Sequence, residues 1–148
     1  MSRYRFFQPV QVRYGDLDPQ GHVNNARFVT YLELARVGYI RELGLWDGKS
    51  FLDVGFIIAR LEMDFLAPIL ITDSVRIGVR ITRLGGKSLD MTYRMEDPDS
   101  GKAYAEALTV LVGYDYQLSR TRELPDHWRN TVAAYEEIPR RTPGKGAS

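Results

Sequence analysis

The chain has 148 residues, a formal net charge of +1, two histidines and no cysteine. The length favours one domain, able to bury roughly 70% of its unfolded surface. The even charge offers nucleic acid no bulk attraction. The missing cysteine excludes disulfides, thiolate metal sites and cysteine nucleophiles, and suits a reducing compartment. No run approaches about 18 apolar residues, and no apolar leader core follows the basic N-terminus. The expectation is a cytoplasmic protein with no membrane partner.

Val10, Val12 and Tyr14 alternate with Gln11 and Arg13, which predicts a strand. Pro9 marks its start or an edge position. Residues 14–25 follow as a loop, holding two carboxylates, a histidine and two amide side chains. The next segment predicts a helix from about Ala26 to Leu43. Phe28, Leu32, Ala35, Tyr39 and Leu43 form one stripe at helical spacing. Leu34 and Val37 add apolar groups on the opposite side, which predicts a helix buried all round. Asn24 or Asn25 can cap its start, and Gly44 stands where a C′ glycine belongs.

The remainder reads as strands. Leu61, Met63 and Phe65 alternate with polar residues, as do Val75, Ile77, Val79 and Ile81, then Leu89, Met91, Tyr93 and Met95. The longest strand is expected from about Ala103 to Tyr116. Gly85-Gly86 and the segment 97–101 are turns, so an antiparallel meander is expected. Residues 125–135 predict a short helix. The basic, Pro- and Gly-rich residues 139–148 predict a disordered tail after a single domain over 1–138. The class is α+β: one long helix cannot cover both faces of about five strands, so the sheet should wrap around it. Such a sheet keeps an exposed edge that invites a second copy.

A carboxylate held just before a helix start is a candidate hydrolytic site. It supplies a base or nucleophile, and the free N–H groups of the helix start supply an anion site. Other sites fall away. Gly48-Lys49-Ser50 and Gly86-Lys87-Ser88 imitate the end of a phosphate loop, but Leu43 and Ile81 stand where its first glycine is required. There is no G-x-S-x-G elbow. Two histidines without cysteine make no expected zinc site, so no metal is assigned.

The stretch Y-x-D-x-D-x-x-G-H-V-N-N followed by Y-L-E-x-A-R resembles the signature of hot-dog-fold acyl-CoA thioesterases of the 4-hydroxybenzoyl-CoA thioesterase type. The resemblance is close over residues 12–44 and elsewhere rests on the strand pattern. It implies a hot-dog fold, a homodimer or homotetramer with sites at the subunit interface, and hydrolysis of an acyl-CoA to a carboxylic acid and free CoA. Coenzyme A is then part of the substrate, and no cofactor is expected. A fatty-acyl chain is favoured over an aromatic acyl group.

In the resembled enzymes the second Asp of D-x-D-x-x-G is the catalytic carboxylate, which is Asp18 here. It could attack the thioester carbonyl or act as base on water. The backbone N–H of Asn24, Asn25 or a neighbour could serve the oxyanion. The bland alternative is that Asp18 is a turn residue ahead of Pro19. Asp16 is expected to bond loop amides in an Asx-type turn. Acyl-carrier-protein thioesterases of this fold carry D-x-N-x-H-V-N-N and use Asp, Asn and His together. Asp18 and His22 fit that pattern, but Gln20 replaces the Asn. His22 is either a proton carrier or a loop brace. Asn25 is a cap or a contact to the thioester oxygen.

Glu33 could be a helix-borne acid, but a pair with Arg36 is favoured. Arg83 and Lys87 flank the Gly85-Gly86 turn and are candidates for the CoA phosphates. Ser88 stands where the resembled enzymes often carry a small polar residue near the substrate. The rivals are an acyl-carrier-protein thioesterase, a hot-dog dehydratase, and a non-catalytic acyl-binding oligomer with no pocket beside Asp18.

Overall fold

The computed structural model describes residues 3–50 and 54–141. The expected tail lies outside the described residues from position 142 onward. Strand β1 spans Phe6–Val10, α1 Asn25–Glu42, β2 Phe56–Phe65, β3 Val75–Leu84, β4 Ser88–Glu96, β5 Ala103–Asp115, β6 Arg120–Thr121 and α2 Asp126–Glu136. A single 3-10 turn, Tyr14–Asp16, precedes the loop that leads into α1. The strands lie in the order β1-β3-β4-β5-β2, and β6 pairs with the end of β5.

Alternation placed β3 and β4 well, because their apolar positions face a core, and β5 ends within a residue of its expected bounds. Ile77, Val79, Leu89, Met91 and Tyr93 are all buried. The expected meander holds for these three strands. It fails for β2, which lies beyond β5 rather than beside β3. The first strand ends at Val10 instead of continuing to Tyr14. Val12 is buried off the ladder, and Tyr14 is 85% exposed on the 3-10 turn. Pro9 lies within β1, opposite Arg76, and β1 is an edge, so its missing N–H costs no central ladder bond. The described residues form six strands where about five were expected, the extra one being the two-residue β6.

Helix α1 falls within a residue of its expected bounds. The Asn24 side chain caps it by accepting the Ala26 N–H at 2.8 Å. Gly44 ends it at φ 71°, a left-handed conformation that suits glycine. The helix is not apolar all round: Leu34 is half exposed and Glu33 exposed. Its buried face is Phe28, Tyr31, Leu32, Ala35, Tyr39 and Ile40. Each fully buried large side chain there contributes about 1.5–3 kcal/mol.

The described residues gather into two compact units. The first holds the chain up to Tyr39, Met63–Arg80 and Tyr93–Ala107. Its core is built on Phe28, Leu32, Ile77, Val79, Tyr93 and Tyr104. Within it Arg36 donates from Nε to the Tyr93 hydroxyl at 3.0 Å and stands over the same ring. The expected Glu33–Arg36 pair is therefore not formed. Arg36 turns inward to the sheet, while Glu33 faces out.

The second unit holds Ile40–Glu62, Ile81–Thr92 and the described chain from Leu108. Here α2 begins after Pro125 and packs Trp128 edge-on to Phe56, ring centroids 5.6 Å apart. The nearly buried Arg129 donates to the carbonyls of Gly86 and Arg140. Among the described residues no helix is long and apolar enough to cross a membrane.

Candidate active site

Strand β1 and the 3-10 turn deliver the chain to Asp16, and the next seven residues form a small closed loop. Leu17 and Val23 make an isolated antiparallel bridge. Inside it Asp18 N–H donates to His22 O at 2.8 Å, and Gly21 N–H donates to Asp18 O at 2.9 Å. Gly21 takes φ 80°, which closes the turn at no steric cost. The Val23 N–H donates to Ile69 O at 2.8 Å and ties the loop to the segment after β2.

Asp18 does what a turn aspartate does, but with one oxygen. Its Oδ1 accepts the Gln20 N–H at 2.9 Å and, more weakly, the His22 N–H at 3.4 Å. Among the described residues no donor reaches Oδ2. The carboxylate is thus oriented through one oxygen and open at the other.

Asp16 bonds a loop amide, as expected of it, but outside any Asx turn. It is almost wholly buried, and its Oδ2 accepts the Tyr31 hydroxyl at 2.7 Å and the Arg13 N–H at 3.0 Å. Arg13 and Arg27 lie 3.7 and 3.9 Å from Oδ1. Burial pushes this carboxyl up, but the Tyr31 and Arg13 hydrogen bonds and the two guanidinium charges outweigh it, leaving it below its usual range. Burial first, and then the hydrogen bond to Asp16 and its charge, push the Tyr31 phenol up. The Asx turn belongs to Asp18.

The start of α1 has nearly exhausted its donors. The Asn24 N–H goes to Asp16 O at 2.8 Å, the Ala26 N–H to the Asn24 side chain, and the Arg27 N–H to Asn24 O at 2.8 Å. Among the described residues the Asn25 N–H meets no acceptor. A single free donor at the positive end of an 18-residue helix is a ready site for a developing negative charge.

A cavity of about 380 Å³ opens here. It is lined by Asp18, Gln20, His22, Val23, Asn24 and Asn25 together with Phe28, Phe65, Leu66, Ala67 and Pro68. Asp18, His22 and Asn25 are therefore brought to one cavity, which apolar side chains also line. The residues after β2 were not foreseen. The only sequence signal for them is that an apolar alternation runs into Pro68 through Phe65 and Leu66.

Arg83, Lys87 and Ser88 do not line this cavity; they belong to the second unit. Arg83 donates to Ser88 Oγ at 2.9 Å and pairs with Asp90 at 2.8 Å, while Lys87 is exposed. Among the described residues no cluster of three or more His, Cys, Asp or Glu side chains could hold a metal.

Comparison with known proteins places the chain in a family. The family model described as the thioesterase-like superfamily matches residues 12–132, which include the whole loop and both helices' buried faces up to Val132. The chain belongs to the thioesterase-like superfamily. Among its relatives in this superfamily, the acyl-CoA thioester hydrolase YbgC of Escherichia coli is 28% identical over 138 residues, covering 93% of this chain and all of its own. The long-chain acyl-CoA thioesterase FadM of Escherichia coli is 25% identical over 123 residues, 83% of this chain and 93% of its own. Among solved structures, a thioesterase from Thermus thermophilus complexed with coenzyme A and zinc is similar with a TM-score of 0.81 and 38% identity. That match covers 94% of this chain and all of the other.

Proposed function

We propose that the protein is an acyl-CoA thioesterase, hydrolysing a thioester to a carboxylic acid and free CoA in the cavity beside the start of α1. One observation carries this: Asp18, oriented through one oxygen, lines one cavity with Asn25, whose N–H meets no acceptor among the described residues, and with several apolar side chains. The named activities of YbgC and FadM support the same reading.

In this reading the acyl group lies against Phe28, Phe65 and Leu66, and the thioester carbonyl points at the Asn25 N–H. Addition to the carbonyl moves its electrons onto oxygen, where the N–H and the helix dipole stabilise the charge. If Asp18 Oδ2 is the nucleophile, collapse expels the CoA thiolate and leaves a mixed anhydride, which water then cleaves. If Asp18 is the base, it takes a proton from water as the water attacks, and the thiolate leaves in one cycle. Rapid acid quenching with mass spectrometry separates these routes: only the first acylates Asp18. His22 is a secondary group, bracing the loop or carrying a proton.

The finer features of this reading are also ours. The loop D-x-D-x-x-G-H-V-N-N supports the 4-hydroxybenzoyl-CoA thioesterase type, and α1 is taken as the central helix of one hot-dog domain over residues 1–138. Of the two cations assigned to the CoA phosphates, Arg83 is occupied by Asp90, so exposed Lys87 is the better candidate, with Ser88 beside it. Strand β2 ends the strand order, and Ile58, Leu61, Phe65 and Leu66 on or after it are 41–53% exposed. An apolar edge of this kind supports a homodimer or higher oligomer built along β2. The lack of cysteine and a CoA substrate suit the cytoplasm.

The decisive variant is Asp18→Asn. It keeps the Oδ1 bonds to the Gln20 and His22 amides and removes the base or nucleophile. Thiol release from acyl-CoA should fall on the order of 10²-fold or more. Near wild-type release by the folded variant would sink the assignment. Light scattering should give at least a dimer.

A further inference from the structure

We propose that the buried pair Asp16–Tyr31 is a positioning device for the thioester site: it sets the distance between the Asp18 carboxylate and the free Asn25 N–H. The inference rests on the reading above for the identity of the reacting groups, but its geometric basis is independent of it.

Asp16 is the point where three parts of the first unit are tied together. Its side chain accepts the Tyr31 hydroxyl from the second turn of α1 at 2.7 Å and the Arg13 N–H from the chain leaving β1 at 3.0 Å. Its main-chain oxygen accepts the Asn24 N–H at 2.8 Å, and its own N–H donates to Arg13 O at 2.9 Å. Asp18 is two residues after this knot, and Asn25 is one residue after the Asn24 that is bound to it. The two groups that must flank one carbonyl carbon are therefore referenced to the same residue.

The loop itself does not need Asp16 to close. The Leu17–Val23 bridge and the Asp18–His22 bond hold its internal shape. What Tyr31 adds is the orientation of that closed loop against the helix axis. Both partners are buried, 2% and 4% exposed, so water cannot replace the hydroxyl at no cost. Removing it frees the loop to shift without unfolding it. A shift of about 1 Å at a reacting pair can cost about 10²-fold in rate. The surviving Arg13 bond limits the shift, so a loss of about tenfold is expected.

The test is Tyr31→Phe, which keeps the ring in the core and deletes one oxygen. At a temperature where circular dichroism shows it folded, kcat for an acyl-CoA should fall about tenfold and KM should stay within about twofold. Asp16→Asn retains an acceptor for the hydroxyl and should lose less than Asp16→Ala. Amide exchange supplies a readout independent of activity: the Asn24 N–H should exchange faster in Tyr31→Phe, and the Ile77 N–H unchanged. Wild-type kcat and unchanged Asn24 exchange in folded Tyr31→Phe would overturn the proposal. A wild-type protein that cleaves no acyl-CoA would instead overturn the functional reading, and the Asn24 exchange would still decide whether the pair holds the loop.

Discussion

Phe65 stands edge-on to Phe28, with ring centroids 5.1 Å apart and planes at 72°, and both rings line the cavity that holds Asp18. The two are not equivalent. Phe28 is buried in the first unit's core, whereas Phe65 is 49% exposed. Phe65→Ala should therefore spare the fold and change acyl selection. We expect kcat/KM for the best apolar acyl-CoA to fall about tenfold, the scale of a lost pocket contact. A thioester with a two-carbon acyl group should be little affected. Equal losses for both substrates would remove Phe65 from the acyl wall.

The Asn25 backbone can be tested without disturbing the helix. Asn25 is the first helical residue, where proline is well tolerated and the deleted N–H has no intrahelical partner. Asn25→Pro should keep the helical signal and lower kcat by about 10²–10³-fold, the usual worth of one oxyanion donor. Asn25→Ala keeps the N–H and should lose far less. Similar losses in both would assign the role to the side chain.

His22 lines the same cavity, yet its backbone already serves the loop: its N–H and carbonyl both meet Asp18. His22→Ala leaves those bonds in place and should cost less activity than Asp18→Asn. A matching loss, with circular dichroism unchanged, would make His22 a member of the reacting group.

The Asp16–Tyr31 bond also predicts a pH window. Folding lowers the Asp16 carboxyl, because its hydrogen bonds and the nearby guanidinium charges overcome burial. The unfolded chain then binds more protons in acid. Asp16's stabilising share is complete above its ordinary value of 3.8 and is lost as pH falls through the lowered folded value. Folding raises Tyr31 above its ordinary 10.0, through burial and the Asp16 charge, so its share is complete below 10.0 and lost as pH rises through the folded value. The gap in urea midpoint between wild type and Tyr31→Phe should be widest from about pH 5 to 9 and shrink at both ends. A gap that is constant across pH would contradict a bond between these two groups.

What could be read from sequence follows the range of the interactions. Helix α1, its Asn24 cap and its Gly44 stop are local, and they stood in the residues themselves. The alternations of β3 and β4 were legible because each has one face in a core. Strand β2 has the same alternation but different neighbours, since nothing in the letters 56–65 says that it pairs beyond β5. Arg36 reaches Tyr93, 57 residues away, instead of Glu33 one turn back, because a tertiary ring and hydroxyl outbid a solvated pair. The loop signature gave Asp18, His22 and Asn25, while the facing wall of Phe65 to Pro68 comes from a segment 40 residues on, brought there only by the fold.

The Gly86 carbonyl, at the tip of the hairpin between β3 and β4, accepts the Leu124 N–H and an Arg129 guanidinium N–H donated from 43 residues downstream. On a ribosome, that turn emerges long before either partner. Its oxygen must stay hydrated until Leu124 and Arg129 have been made, so this end of the second unit closes late. Closing so long a loop makes the step slow by its topology, however favourable the final bonds. A chain stalled or cut before Leu124 would leave Phe56 without Trp128 and Gly86 without both its donors, with apolar surface open to other nascent chains.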